Sequence, residues 1–198
     1  MEIDPVAPRW GLIRETLGNR PGWQRRVLMV STTLQELIQR YYQAGARDLH
    51  GLDLQGLDLK GAHLADVDIR RANLSKANLS KADLTHINGY QSVLTHSDLR
   101  EASLAEAVLI EADLRRTQCH RATLVNADLR KATLAHSDLS HANLEGANLS
   151  DADLSHANLY WANLRHANLR GANLNGSDLT GVKWHETVMP DGTLRNSP

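Results

Sequence analysis

The sequence predicts an all-β solenoid, and three observations carry the prediction. From Leu49 onward a leucine stands at nearly every fifth residue through Leu179, with Trp184 at the next step, and only Ile69, Gly89 and Cys119 interrupt the series. The 28 units follow one another without an insertion, and the residue two places before each leucine is usually Ala. The chain has no Phe, and aromatics make up 4% of it, so its interior is not filled by the large rings that supply volume in most cores.

A period of five suits neither regular element. In a helix, five residues advance about 500°, and the leucines would spiral over every face. In a flat strand the side chains alternate, so leucines five apart would point to opposite sides. All of them point inward only if the chain turns a corner within each unit. Each unit is then a short extended piece followed by a tight bend, with the leucine and the small residue before it inside and the other three residues outside. Repeated corners make a coil, and stacked coils pair their backbone groups with the coils above and below. Small Ala beside each Leu fits a narrow bore.

The unit is plainest in HANLEGANLSDADLSHANLYWANLRHANLRGANL, residues 141–174. These A[DN]Lxx units, over residues 47 to about 184, resemble the pentapeptide-repeat family. The resemblance implies four units to a square coil and a right-handed quadrilateral parallel β-helix, here of about seven coils. The four-fold count and the hand come from the resemblance and not from the spacing. Seven coils at ~4.8 Å each make a rod about 34 Å long.

The ends of such a rod expose its bore and need covers. Residues 1–46 form the amino-terminal part. Within it TLQELIQRYYQA (33–44) predicts an α-helical cap, with Thr33 and Glu36 as a capping box, Leu34, Leu37, Ile38 and Tyr41 on one face, and Gly45 as the stop. Residues 1–30 form a separate piece, with a short helix in RWGLIRETLGNR, a turn at PGW and an extended RVLMV. That piece either packs along the rod or binds something. The β-helix spans 47–184, with Trp184 at the inward position of its last unit to close the bore, and 185–198 are a carboxy-terminal cap and tail, in which MPDGT turns and RNSP frays.

With four units to a coil, every fourth unit stands in the same column. One column, Asp58, Asn78, Asp98, Gln118, Asp138, Asn158, Asp178, alternates carboxylates with amides, the order a stable ladder requires. A second, Arg71, Gln91, Glu111, Lys131, Asp151, alternates acid and base. A third breaks the habit: Lys76, His96, Arg116, His136 and His156 are all basic or titratable. That line offers a pH-sensitive face for an anionic partner, unless Asp98 and Asp138 neutralise it locally. Tyr90, Val93, Val108 and Ile110 place apolar groups where polar ones are the rule, around the coil in which Gly89 replaces a central leucine and Val67 and Ile87 refill the space. A clustered apolar patch is usually covered, by the amino-terminal segment, by a partner or by a second copy of the chain in a homodimer. Tyr160 and Trp161 make an aromatic spot elsewhere.

Function is less legible. Lys and Arg total 22 against 23 Asp and Glu, which leaves no basic footprint for direct nucleic-acid binding. The longest apolar run near the amino terminus is Val27–Val30, too short for a membrane span or a signal peptide, and the lone Cys119 suits a reducing compartment, so the expected location is the cytoplasm. No phosphate loop, paired carboxylates, metal cluster or nucleophile constellation stands out. Cys119 points inward and His120 outward, which excludes a nucleophile pair. The expectation is a non-catalytic scaffold for an unknown protein partner, with no cofactor, metal or catalytic residue. The resemblance implies an alternative, since some members of the family imitate duplex DNA and bind type II topoisomerases. Against it, the repeat region holds 15 Lys/Arg and 17 Asp/Glu, a net of −2, and lacks those members' loop interruptions.

Overall fold

A computed structural model describes residues 38–39 and 42–196. Parallel backbone bridges join each unit to the fourth unit after it without a break, from Asp48↔Asp68 to Asn168↔Val188. The coil is therefore four units around, and seven such steps separate Asp48 from Val188.

Ala72 to Lys76 show why the unit is built as it is. The chain enters through a four-residue turn closed by the Ala72 amide donating to the Ile69 carbonyl at 2.9 Å. The Asn73 amide donates to Leu52 in the coil below at 2.9 Å, and the Leu74 amide to Val93 in the coil above at 2.7 Å. The Lys76 amide also reaches the coil above, to Thr95, at 2.9 Å. One amide remains, that of Ser75, and the Asn73 side chain accepts it at 3.1 Å. All five donors are satisfied, which a buried or half-buried backbone requires. The Asp or Asn before each leucine thus has a local task. The same bond recurs at Asp48–His50, Asp68–Arg70, Asp98–Arg100 and Asn143–Glu145.

The second residue of each corner occupies the third position of the turn and lies in the left-handed region. From Asp66 to His166 every such residue other than glycine has φ between 55° and 60°. A type II turn demands this, at about 1–2 kcal/mol for a residue with a Cβ. The amide bond to the next coil offsets that cost.

Leucine and alanine fill the bore: Leu54, Leu74, Leu94, Leu114, Leu134 and Leu154 stack on one face, each at most 1% exposed. At the gap left by Gly89 the structure differs from the expected repair. The nearest groups to the missing side chain are Leu109 Cδ2, Ser92 Oγ and Ile69 Cδ1. The central residues of the coils above and below lean into the space, helped by Ser92, whose hydroxyl donates to the Gly89 carbonyl at 2.8 Å. Val67 and Ile87 are buried but are not the groups nearest the gap.

At the lower end Ile38, Gln39, Tyr42 and Gln43 are helical, and Ile38 is buried in the same core as Leu49 and Leu52. Gly45, at φ 86°, donates its amide to the Tyr42 carbonyl at 2.9 Å. The Arg47 guanidinium lies 3.8 Å from the Tyr42 ring centroid. Ala44, the expected last helical residue, already lies in the turn, and the rest of the expected helix, its capping box and residues 1–30 lie outside the described residues. At the upper end Trp184 is buried in the core, with the Arg195 guanidinium 4.5 Å from its ring. Strands β1 (Thr187–Val188) and β2 (Leu194–Arg195) form an antiparallel hairpin, Thr187 opposite Arg195 and Val188 opposite Leu194. The RNSP segment therefore does not fray from its first residue. Arg195 is in β2, and the Asn196 side chain accepts the Glu186 amide at 2.8 Å.

Candidate functional site

The expected columns form. Asn78 Nδ2 donates to Asp58 Oδ1 at 2.9 Å and Asn158 Nδ2 to Asp138 Oδ1 at 3.0 Å. In the second column Arg71 Nε donates to Gln91 Oε1 at 3.1 Å, and Gln91 Nε2 to Glu111 Oε2 at 2.9 Å. Across the faces, arginines fold back on the carboxylate two residues before them. Arg70, Arg100, Arg115 and Arg130 each place Nη2 2.6–2.7 Å from an oxygen of Asp68, Asp98, Asp113 and Asp128. The arginine hydrogen bonds hold Asp68, Asp98 and Asp128 below the usual carboxylate range. At Asp113 burial pushes upward, and the hydrogen bonds from Arg115 outweigh it.

Lys76, His96, Arg116, His136 and His156 stand on one corner, all exposed. The His136 and His156 rings stack with centroids 5.0 Å apart and planes within 5°. Among the described residues no carboxylate lies within ion-pair distance of this column. Neither Asp98 nor Asp138 pairs directly with the column: Asp98 is held by Arg100, and Asp138 accepts from Asn158. The carboxylates that feel His96 and His136 are Asp113 and Asp153, on the adjoining face.

Tyr90 and Ile110 occupy successive coils of one face, between the Arg70–Asp68 and Arg130–Asp128 pairs. Val108 lies beside Ile110, and Val93 lies around the corner. All four are half-buried. Val93 and Val108 stand where Asp or Asn normally accepts the amide two residues on, so Thr95 and Ile110 lack that bond. The Tyr90 hydroxyl lies 3.4 Å from Glu111 Oε2.

Tyr160 and Trp161 are 41% and 49% exposed. They continue a line of rings that the sequence reading missed: His120 to His141 at 5.4 Å, His141 to Tyr160 at 5.7 Å, and Tyr160 to Trp161 at 6.3 Å. The available signal was the spacing of His120, His141 and Tyr160, each step being within one position of a full coil. Cys119 is fully buried, 3.5 Å from Thr117 Oγ1, and burial pushes its thiol up to about 12. His120 turns outward to Ser140 Oγ at 2.8 Å.

Two further groups join histidine to carboxylates. His86 sits between Asp66 and Glu106, with Nδ1 3.3 Å from the first and Nε2 3.4 Å from the second. Near the upper end His166, His185 and Glu186 converge, all exposed, with one ligand atom from each inside a 4.8 Å span. The reading of the sequence missed this trio. His166 lies one full coil before Glu186, and His185 is the neighbour of Glu186 in the chain.

Among the described residues no helix is long and apolar enough to cross a membrane. The family model for pentapeptide repeats matches the chain in 8 copies, over residues 48–86, 92–130, 112–151, 127–165 and 157–186. No curated protein matches the sequence. Among solved structures, a trypsin-treated variant of QnrB1, a plasmid-mediated fluoroquinolone resistance protein, aligns with a TM-score of 0.66 at 14% identity, covering 72% of this chain and 73% of that one. Rfr23, a pentapeptide repeat protein from the cyanobacterium Cyanothece 51142, is 29% identical over 77% of this chain and 99% of its own, with a TM-score of 0.41. The likeness to QnrB1, at that identity, is one of fold, and it makes the coil a right-handed β-helix.

Proposed function

The chain belongs to the pentapeptide-repeat family, and from that footing we propose that it is a non-catalytic, rigid scaffold that binds a protein partner through its outward faces. The observation that supports this most directly is the cluster of four half-buried apolar side chains on a surface that is otherwise mostly polar. Most outward positions are locked into ladders, arginine–aspartate pairs or amide caps. Tyr90, Val93, Val108 and Ile110 replace those groups with apolar ones and leave the Thr95 and Ile110 amides without their caps. A patch that is apolar and still offers hydrogen-bond donors suits a protein surface. The exposed column of Lys76, His96, Arg116, His136 and His156 is the second candidate face, for an acidic segment of the same partner. Tyr160 and Trp161 are the third. Residues 33–44 serve as the helical cap of the lower end, residues 1–46 as the amino-terminal part and 185–198 as the carboxy-terminal cap, in a cytoplasmic protein.

The DNA-mimic reading has less support. Four aspartates that would imitate phosphates are each held by an arginine two residues on, and such pairs present no net negative face.

Affinity capture from native lysate tests the scaffold reading, with the parent beside a Tyr90→Glu, Ile110→Glu double variant and circular dichroism confirming that both fold. A partner retained by the parent and lost by the folded variant is the expected result. Equal retention by both would remove the patch from the proposal and pass the role to the Lys76–His156 column. A DNA supercoiling assay with a type II topoisomerase should show no effect at micromolar protein.

A further inference from the structure

We propose that His166, His185 and Glu186 form a binding site for a divalent zinc-like cation at the upper end of the rod. The three side chains supply two imidazole nitrogens and one carboxylate oxygen, a donor set suited to zinc. His166 Nδ1 and Glu186 Oε2 are 3.3 Å apart, about the separation of two ligands on one tetrahedral ion with bonds of ~2.05 Å. The His185 ring stands edge-on to His166, with centroids 5.1 Å apart and planes at 85°. All three ligand atoms already lie within 4.8 Å of one another. Small rotations of exposed side chains close the remaining distance, and a fourth position stays open to water.

The backbone holds the trio in place. His166 and Glu186 are consecutive residues of one corner column, and the His166 amide donates to the His185 carbonyl at 2.7 Å. Glu186 is fixed at φ 47°, with its amide on Asn196 Oδ1 at 2.8 Å. The His185 amide donates to Thr187 Oγ1 at 3.3 Å, and that buried hydroxyl donates to the Leu164 carbonyl at 2.7 Å. The site thus joins the last coil, the exit of the chain from it and, through Asn196, the end of the β1–β2 hairpin.

The Asp66–His86–Glu106 corner shows what an ordinary ladder of these residue types looks like. There one histidine spends both ring nitrogens on two carboxylates, which separates like charges and leaves no second imidazole. His136 and His156 stack in parallel and, among the described residues, form no three-residue cluster.

Titration of the full chain with Zn2+ by calorimetry, and with Co2+ by visible absorption, tests the site, with Mg2+ as the hard-cation control. The expected result is one Zn2+ per chain, d–d bands of low-symmetry Co2+ and no response to Mg2+. His185→Ala and Glu186→Gln should each weaken Zn2+ binding at least about tenfold, since even outer-shell losses cost that much. His136→Ala with His156→Ala should leave it unchanged. Circular dichroism shows that each variant folds, and Glu186→Gln preserves shape if an alanine variant does not. No Zn2+ binding by the parent up to about 1 mM, the range of a weak site, or equal affinity in the parent and both site variants, would overturn the proposal.

Discussion

At the scale of single residues, the repeat is explained by a count of donors. Once the corner is a four-residue turn and each coil bridges to the next, one amide per unit has no backbone partner, and the Asp or Asn before the leucine accepts it. The A[DN]L pattern was fully legible in the sequence, and so were the ladders between coils. The local bond was not, because it becomes visible only when the turn is known. The same count isolates a weakness. Where Ser or Thr replaces the inward alanine its hydroxyl normally finds a carbonyl, as Ser92, Thr117 and Ser137 do at 2.7–2.8 Å. Ser97 is fully buried, and its hydroxyl has no partner among the described residues. A buried hydroxyl without a bond costs about 1–3 kcal/mol. Ser97→Ala should therefore raise stability by about 1 kcal/mol, whereas Ser137→Ala should be neutral or lower it by a similar amount. Urea unfolding of both variants checks the contrast, and a destabilised Ser97→Ala would contradict it.

At the scale of elements, the corners decide which residues the surface tolerates. The glycines at both ends of the repeat all lie at left-handed corners, but they do different work. Gly51, Gly56 and Gly61 have nothing within 4 Å of where a Cβ would stand. Gly181 is different: a Cβ there would lie 2.8 Å from the Trp161 ring, and at Gly176 it would meet the His156 ring at 2.5 Å. Gly176 and Gly181 are seats for the rings of His156 and Trp161 in the coil below, and Gly171 is one for the Asp151 carboxylate. The sequence showed the glycines, and tight corners accounted for half of their meaning. The other half depends on the rotamer of a residue one coil away, which no local pattern records. Both Gly51→Ala and Gly181→Ala meet the left-handed cost of about 1–2 kcal/mol. Only Gly181→Ala also displaces a ring, so its loss of stability should exceed that of Gly51→Ala by about 1 kcal/mol, the usual scale of overpacking, and the Trp161 fluorescence should shift with it. Equal losses and an unmoved spectrum would mean that Trp161 turns away at no cost.

At the scale of the whole molecule, two periods govern different things. The core repeats with every unit, because each unit brings its own Leu and small residue inward. The surface repeats with every coil, because a side chain's ladder partner stands in the coil above or below. This division explains why the fold was legible from leucine spacing alone, while the candidate sites needed the coil count before Tyr90 and Ile110, or His166 and Glu186, became neighbours. Residues 1–37 carry neither period, and nothing comparable was available there. The division also makes a strong prediction about deletions. In a repeat protein stability is roughly a sum over units and the contacts between adjacent ones. Removing residues 127–146, one full coil, keeps every face in line. Removing residues 127–131, one unit, turns everything above the junction by a quarter of a coil but leaves each Leu and Ala inside and each bridge residue at a bridge. Its cost is confined to mismatched side-chain pairs at one junction, each worth about 0.2–1 kcal/mol. Removing residues 127–134 breaks the phase of the units and sends the following leucines outward. Both the full-coil and the single-unit deletions should melt cooperatively in circular dichroism, and the out-of-phase deletion should not. If the single-unit deletion failed while the full-coil one folded, the ladders between side chains, and not the leucine core, would be what specifies the stacking of this rod.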